Sequence, residues 1–181
     1  MMGAGYRAGQ FFRAVAALAA GDLPEQDCAL VTEVLPADLR RLFFGMVMND
    51  QRHSLKVYCL LRGQGHADGD LLRAALLHDC GKALGRIALW QRVALVLVSV
   101  ARPTLLDWLS GSGASSSDRA WRYAFYIQRE HARLGADLAS QAGASPATVA
   151  YIRRHETPLE TTPRTPEAEL LLALQRADSV S

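Results

Sequence analysis

The chain has 181 residues, half of them apolar and 21% charged, which excludes intrinsic disorder, collagen-like repeats and a polyelectrolyte tail. That length fits one domain with room for a sizeable core. Twenty Lys and Arg against 18 Asp and Glu leave a formal charge of +2, far short of the dense basic stripe that neutralising phosphates requires, so nucleic acid is not an expected partner.

Period-two alternation is confined to part of Val93 to Val100, which is flanked by helical patterning, so an all-α fold is expected. Arg7 to Ala20, apolar at Phe11, Phe12, Val15 and Leu18, reads as a helix ended by Gly21. Leu23 to Leu35 follows with Pro24 and Glu25 in its first turn, and Pro36 breaks the chain. Ala37 to about Met48 places Leu39, Leu42, Phe43 and Met46 on one face. The next helix is expected from Asp50 or Gln51 to Leu61, ahead of Gly63 and Gly65. Asp68 or Asp70 should cap a helix over Leu71 to Asp79, which Cys80 and Gly81 should terminate.

The most apolar stretch, Ile87 to Leu109, is too short to cross a membrane: Arg92 and Arg102 bracket nine uncharged residues, Pro103 follows, and a span needs about 20. Two readings stay open for it. It is a helix buried on most sides, or an interfacial hairpin whose Trp90, Trp108, Arg86, Arg92 and Arg102 meet a peripheral membrane surface or a second copy of the chain. The tract GSGASSSD, Gly111 to Asp118, separates it from a helix over Arg119 to Glu130. Ser145-Pro146 and Thr165-Pro166 each pair an N-cap with a proline at the first helical position, starting helices that run through His155 and through Asp178. Cys28, Cys59 and Cys80 form no CxxC pair, and Met1 to Gln10 lacks the apolar run of a secretory leader, so a reducing, cytoplasmic setting is expected.

Four of the five histidines fall at or near predicted helix ends, and one of them opens the string LLHDCGK, Leu76 to Lys82. A helix ending in His78-Asp79 presents an imidazole nitrogen and a carboxylate oxygen together at the rim of a bundle, where a divalent ion can be held. His53 lies 25 residues upstream on a neighbouring helix, and Asp178 sits in a mostly apolar final helix.

In this order, RHSLKV around His53, AALLHDCGK around His78 and LLALQRADS around Asp178, the chain resembles the HD superfamily of metal-dependent phosphohydrolases. The resemblance covers about Asp50 to Asp178. It implies a helical bundle of the HD-domain type, residues 50–181, carrying an apolar helical insert at about 86–118, with residues 1–49 as an N-terminal helical extension packed on it. It further implies that His53, His78, Asp79 and Asp178 ligate a first divalent ion. His131 in HARLGADLA and His155 in YIRRHETP fall where the two-metal branch of the family places its second-site ligands. Such mixed nitrogen and oxygen sets suit iron, manganese, cobalt or zinc, with magnesium also admissible, one or two ions in all.

The implied activity is hydrolysis of a small phosphate ester, with a nucleotide as the expected class, by a metal-activated water oriented by Asp79 or a histidine. Lys82, Arg52 and Arg154 are the candidate phosphate-binding cations, Lys82 first because it closes the HDxGK string. Arg154 also stands where some members carry a second adjacent histidine, and no GYP-like motif follows the His-Asp pair, which disfavours a cyclic dinucleotide. His66 matches no ligand position and reads as structural, as does Cys80, a small residue between Asp79 and Gly81. The rival reading is a non-catalytic HD-like module that binds metal and nucleotide and docks on a membrane or partner through 87–109.

Overall fold

The computed structural model describes residues 22–84, 120–158 and 165–181, and the expected helix over Arg7 to Ala20 and the apolar segment 87–109 lie outside them. The described residues form seven α-helices and one 3-10 turn, with no strand among them: α1 (Glu25–Val34), α2 (Ala37–Gly45), α3 (Met48–Gly63), α4 (Gly69–Leu77), the 3-10 turn (Cys80–Leu84), α5 (Ala120–Gln141), α6 (Pro146–Arg154) and α7 (Pro166–Val180). None of these helices is long and apolar enough to cross a membrane.

The core is organised by α4. Leu71, Leu72, Ala74, Ala75, Leu76 and Leu77 are all buried, and a helix apolar everywhere except the edge carrying Asp70 and Arg73 must be largely surrounded. It is packed against α1, α2, α3, α6 and α7. Val31, Leu39, Phe43, Leu61, Ile152, Leu171 and Leu174 close around it from those neighbours. The C-terminal end of this central helix therefore delivers whatever follows it, His78 and Asp79, into the middle of the bundle.

Local chemistry sets most of the boundaries. The Asp68 carboxylate accepts from the amide of Leu71 at 2.8 Å and starts α4. Ser145 and Thr165 accept from the amides of Thr148 and Ala168, with Pro146 and Pro166 at the first helical positions, as the sequence predicts. Several boundaries differ from expectation. Helix α2 stops at Gly45 and α3 starts early, at Met48, because the Gln51 amide donates to the carbonyls of Met46 (2.8 Å) and Phe44 (3.4 Å) and folds the connection tightly. Helix α4 ends at Leu77, so His78 and Asp79 lie beyond it, and Cys80-Gly81 open a 3-10 turn instead of a loop. Helix α5 continues past Glu130 to Gln141.

A polar knot joins α4 to α6: the Asp70 carboxylate accepts from Ser145 Oγ (2.7 Å), Thr148 Oγ1 (3.0 Å) and Arg73 Nη1 (3.3 Å). The Ser145 bond, with help from Thr148 and Arg73 and against partial burial, holds the Asp70 carboxyl below its ordinary value. A carboxylate depressed in the folded state stabilises the fold above its unfolded pKa of about 3.9 and loses that contribution as pH falls through the folded value. Asp70→Asn is expected to cost about 1 kcal/mol at neutral pH, the difference between a charged and a neutral hydrogen bond. Urea unfolding followed against pH checks this, and the gap between variant and wild type should close below about pH 4.

Candidate metal centre

Six side chains from five elements converge beside the end of α4. His53 comes from α3, His78 and Asp79 from the turn after α4, His131 from α5, His155 from the C-cap of α6 and Asp178 from the last turn of α7. Ligand-capable atoms of His53, His78 and Asp178 lie within 4.8 Å of one another, and so do those of Asp79, His131 and His155. In the first cluster His53 Nε2 lies 2.8 Å from Asp178 Oδ1 and 3.3 Å from His78 Nε2, and His78 Nε2 lies 3.5 Å from Asp178 Oδ1. In the second, Asp79 Oδ1 faces His131 Nε2 at 3.3 Å and His155 Nε2 at 4.0 Å.

Asp79 joins the two clusters. Its other oxygen, Oδ2, lies 3.6 Å from His78 Nε2 and accepts from Lys82 Nζ at 2.6 Å. One carboxylate thus turns Oδ1 to the second cluster and Oδ2 to the first. Burial alone would raise the Asp79 carboxyl, but the charges of His78 and Lys82 outweigh it and hold it well below the usual range. The same balance raises Lys82, where the Asp79 charge overcomes a burial that would lower it, so the ammonium stays protonated. Asp178 is likewise pulled far down against burial, by hydrogen bonds from His53 and His78.

Three of the histidines are oriented as a metal site would need. His78, His131 and His155 each give Nδ1–H to the carbonyl three residues back, on Ala75 (2.9 Å), Gln128 (2.8 Å) and Ile152 (2.7 Å), which leaves each Nε2 facing the centre. Burial, helped by the neighbouring His78 charge, pushes His155 down to about 4, so it is neutral at pH 7. His131 Nε2 is fully buried and has no hydrogen-bond partner, although two carboxylates lie nearby. A buried ring nitrogen left orphaned at the focus of a carboxylate and a second imidazole fits a divalent ion. The mixed imidazole and carboxylate donors suit a first-row transition metal better than a purely oxygen-seeking ion.

Two glycines let these elements meet. The 3-10 turn crosses α5 so closely that a Cβ on Gly81 would overlap the His131 carbonyl oxygen and sit 2.7 Å from the Gly135 amide nitrogen. A Cβ on Gly135 would in turn lie 3.0 Å from the Gly81 nitrogen. The backbone carrying Asp79 is thereby seated directly on the helix that carries His131. Cys80 is buried, points its thiol at the Gly135 carbonyl (3.6 Å) and is pushed by burial up to about 12, so it is a packing residue as its sequence context predicts.

The other sequence candidates divide. Arg52 is half-buried next to His53 on α3, whereas Arg154 is exposed at the end of α6. Its neighbour Arg153 is paired with Asp137 at 2.7 Å on the outer surface. His66 stands apart from both clusters, its main chain tied to α3 by a bond from its amide to the Leu61 carbonyl. Three contributors escape a reading of the sequence. Glu156 brings Oε1 to 3.6 Å from His131 Nε2 while remaining half exposed. Gln175 donates to the carbonyls of Arg154 (3.1 Å) and Thr157 (2.7 Å) and so clamps the turn around His155 to α7. Ser181 meets His53. Only the adjacency of Glu156 to His155 was a usable signal.

No curated protein and no solved structure matches the chain. A family model described as the HD domain matches residues 51–181, the span that carries every residue of both clusters. On that match the chain belongs to the HD domain family of metal-dependent phosphohydrolases.

Proposed function

We propose that the chain is a hydrolase of nucleotides or other small phosphate esters, working with two divalent ions held by His53, His78, Asp79 and Asp178 on one side and by Asp79, His131 and His155 on the other. The observation that carries this reading is Asp79, whose two oxygens face two separate sets of imidazoles. When bound, the ions supply Lewis acidity and lower the pKa of water at a phosphorus centre.

The chain's own groups do the rest. Asp79 fixes the spacing of the two sets, because both of its oxygens are committed and its carboxylate is buried. The Nε2 atoms of His78, His131 and His155 are turned inward by the carbonyls that accept from their Nδ1 atoms. Lys82 is a permanent cation at the edge of this centre, with a fifth of its side chain open to solvent, and is the group placed to meet a substrate phosphate. Arg52, beside His53, is the second candidate and Arg154 the third. In this reading residues 50–181 form the catalytic domain and residues 1–49 an extension, of which α1 and α2 pack on α4.

The test is a panel of phosphomonoesters, phosphodiesters, nucleotides and dinucleoside polyphosphates, assayed with manganese, iron, cobalt and zinc. Turnover that needs added metal, stops with chelator and falls in Lys82→Ala is expected. A metal-loaded protein that hydrolyses none of the panel would overturn the reading.

A further inference from the structure

His53 differs from the other three histidines of the centre. Their Nδ1 atoms are bonded by carbonyls of their own chain segment, three residues back. His53 lies inside α3, and its Nδ1 meets a side chain from the far end of the sequence, Ser181 Oγ, at 2.9 Å. Ser181 is the C-cap of α7, and its hydroxyl also donates to the Asp178 carbonyl at 3.1 Å. A hydroxyl has one proton and two lone pairs. With the proton given to Asp178, Ser181 Oγ can only accept from His53, so Nδ1 carries hydrogen and Nε2, 2.8 Å from Asp178 Oδ1, is the nitrogen that would give its lone pair to an ion in exchange for that contact.

We propose that Ser181 is a positioning residue of the first metal cluster: it holds the His53 ring so that Nε2 faces His78 and Asp178. The proposal rests on the metal-centre reading above. One short segment, Asp178 to Ser181, then supplies both a carboxylate ligand and the acceptor that orients a second ligand on α3. An imidazole bound through Nε2 makes its Nδ1–H a stronger donor, and losing the acceptor of such a group typically weakens metal binding 10–100-fold.

The test is Zn2+ titration of the metal-free chain in competition with a chromophoric chelator, for wild type, Ser181→Ala and Ser181→Thr. Wild type should bind two ions. Ser181→Ala should weaken one of them about 10–100-fold and leave the other within a few-fold, with an unchanged melt of the metal-free protein. Ser181→Thr, which keeps the hydroxyl, should restore the affinity. In the zinc-loaded protein the His53 Nδ1–H should be protected from solvent exchange, seen in 15N spectra, and lose that protection in Ser181→Ala alone. Two unaltered affinities in Ser181→Ala would overturn the proposal while leaving the metal centre intact. So would equal loss at both sites that threonine fails to rescue, which marks a structural role. Wild-type protein that takes up no zinc would overturn both.

Discussion

Replacing Asp79 by asparagine is expected to remove one or both ions and to lower hydrolysis about a thousandfold or more, since the ions supply several kcal/mol of transition-state stabilisation. The amide keeps the volume of the carboxylate, so packing around the buried position is preserved. It cannot keep the function. Asparagine has one oxygen and no charge, whereas Asp79 turns one oxygen to each cluster and balances His78 and Lys82. Calorimetric metal titration beside a hydrolysis assay measures both effects. His66→Ala, which alters a histidine away from both clusters, is the control and should leave metal binding and turnover as in wild type. An Asp79→Asn variant that still binds two ions would remove the bridging role from the site.

Gly81→Ala should be the most damaging single methyl addition in the described structure. The new Cβ would overlap a main-chain carbonyl of α5, which cannot rotate away as a flexible side chain would. Overpacking of this kind costs about 3 kcal/mol or more, equivalent to a fall in melting temperature of roughly 6–12 °C for a domain of this size. The alternative to unfolding is a shift of α5, which would carry His131 away from Asp79 and weaken the second cluster before the first. Thermal melts and metal titration of the same variant separate the two. A variant that melts within 2 °C of wild type and binds two ions would show that the turn and α5 are not in contact.

The parts of this site that were legible in the sequence are those encoded by local pattern. His78 and Asp79 are adjacent, His53 and Asp178 flank them in a recognisable order, and the caps at Asp68, Ser145 and Thr165 announce their helices within three residues. What was not legible depends on which distant segments meet. Gly81 reads as a helix stop, and only its crossing with α5 shows that it is there for close approach. Gln175, Ser181 and the Asp70 knot act between residues 18 to 128 positions apart, and an isolated glutamine, serine or aspartate carries no sign of that. The early start of α3 has a local cause that residue type alone does not announce, a Gln51 side chain bonding five and seven residues back to the end of α2.

Metal content by elemental mass spectrometry, on chain purified without chelator or nickel and reconstituted with manganese, iron or zinc, tests the two-cluster centre most directly. Two equivalents per chain in wild type, falling to one or none in Asp79→Asn, are expected. One equivalent or none in reconstituted wild type, or two retained in the variant, would contradict it.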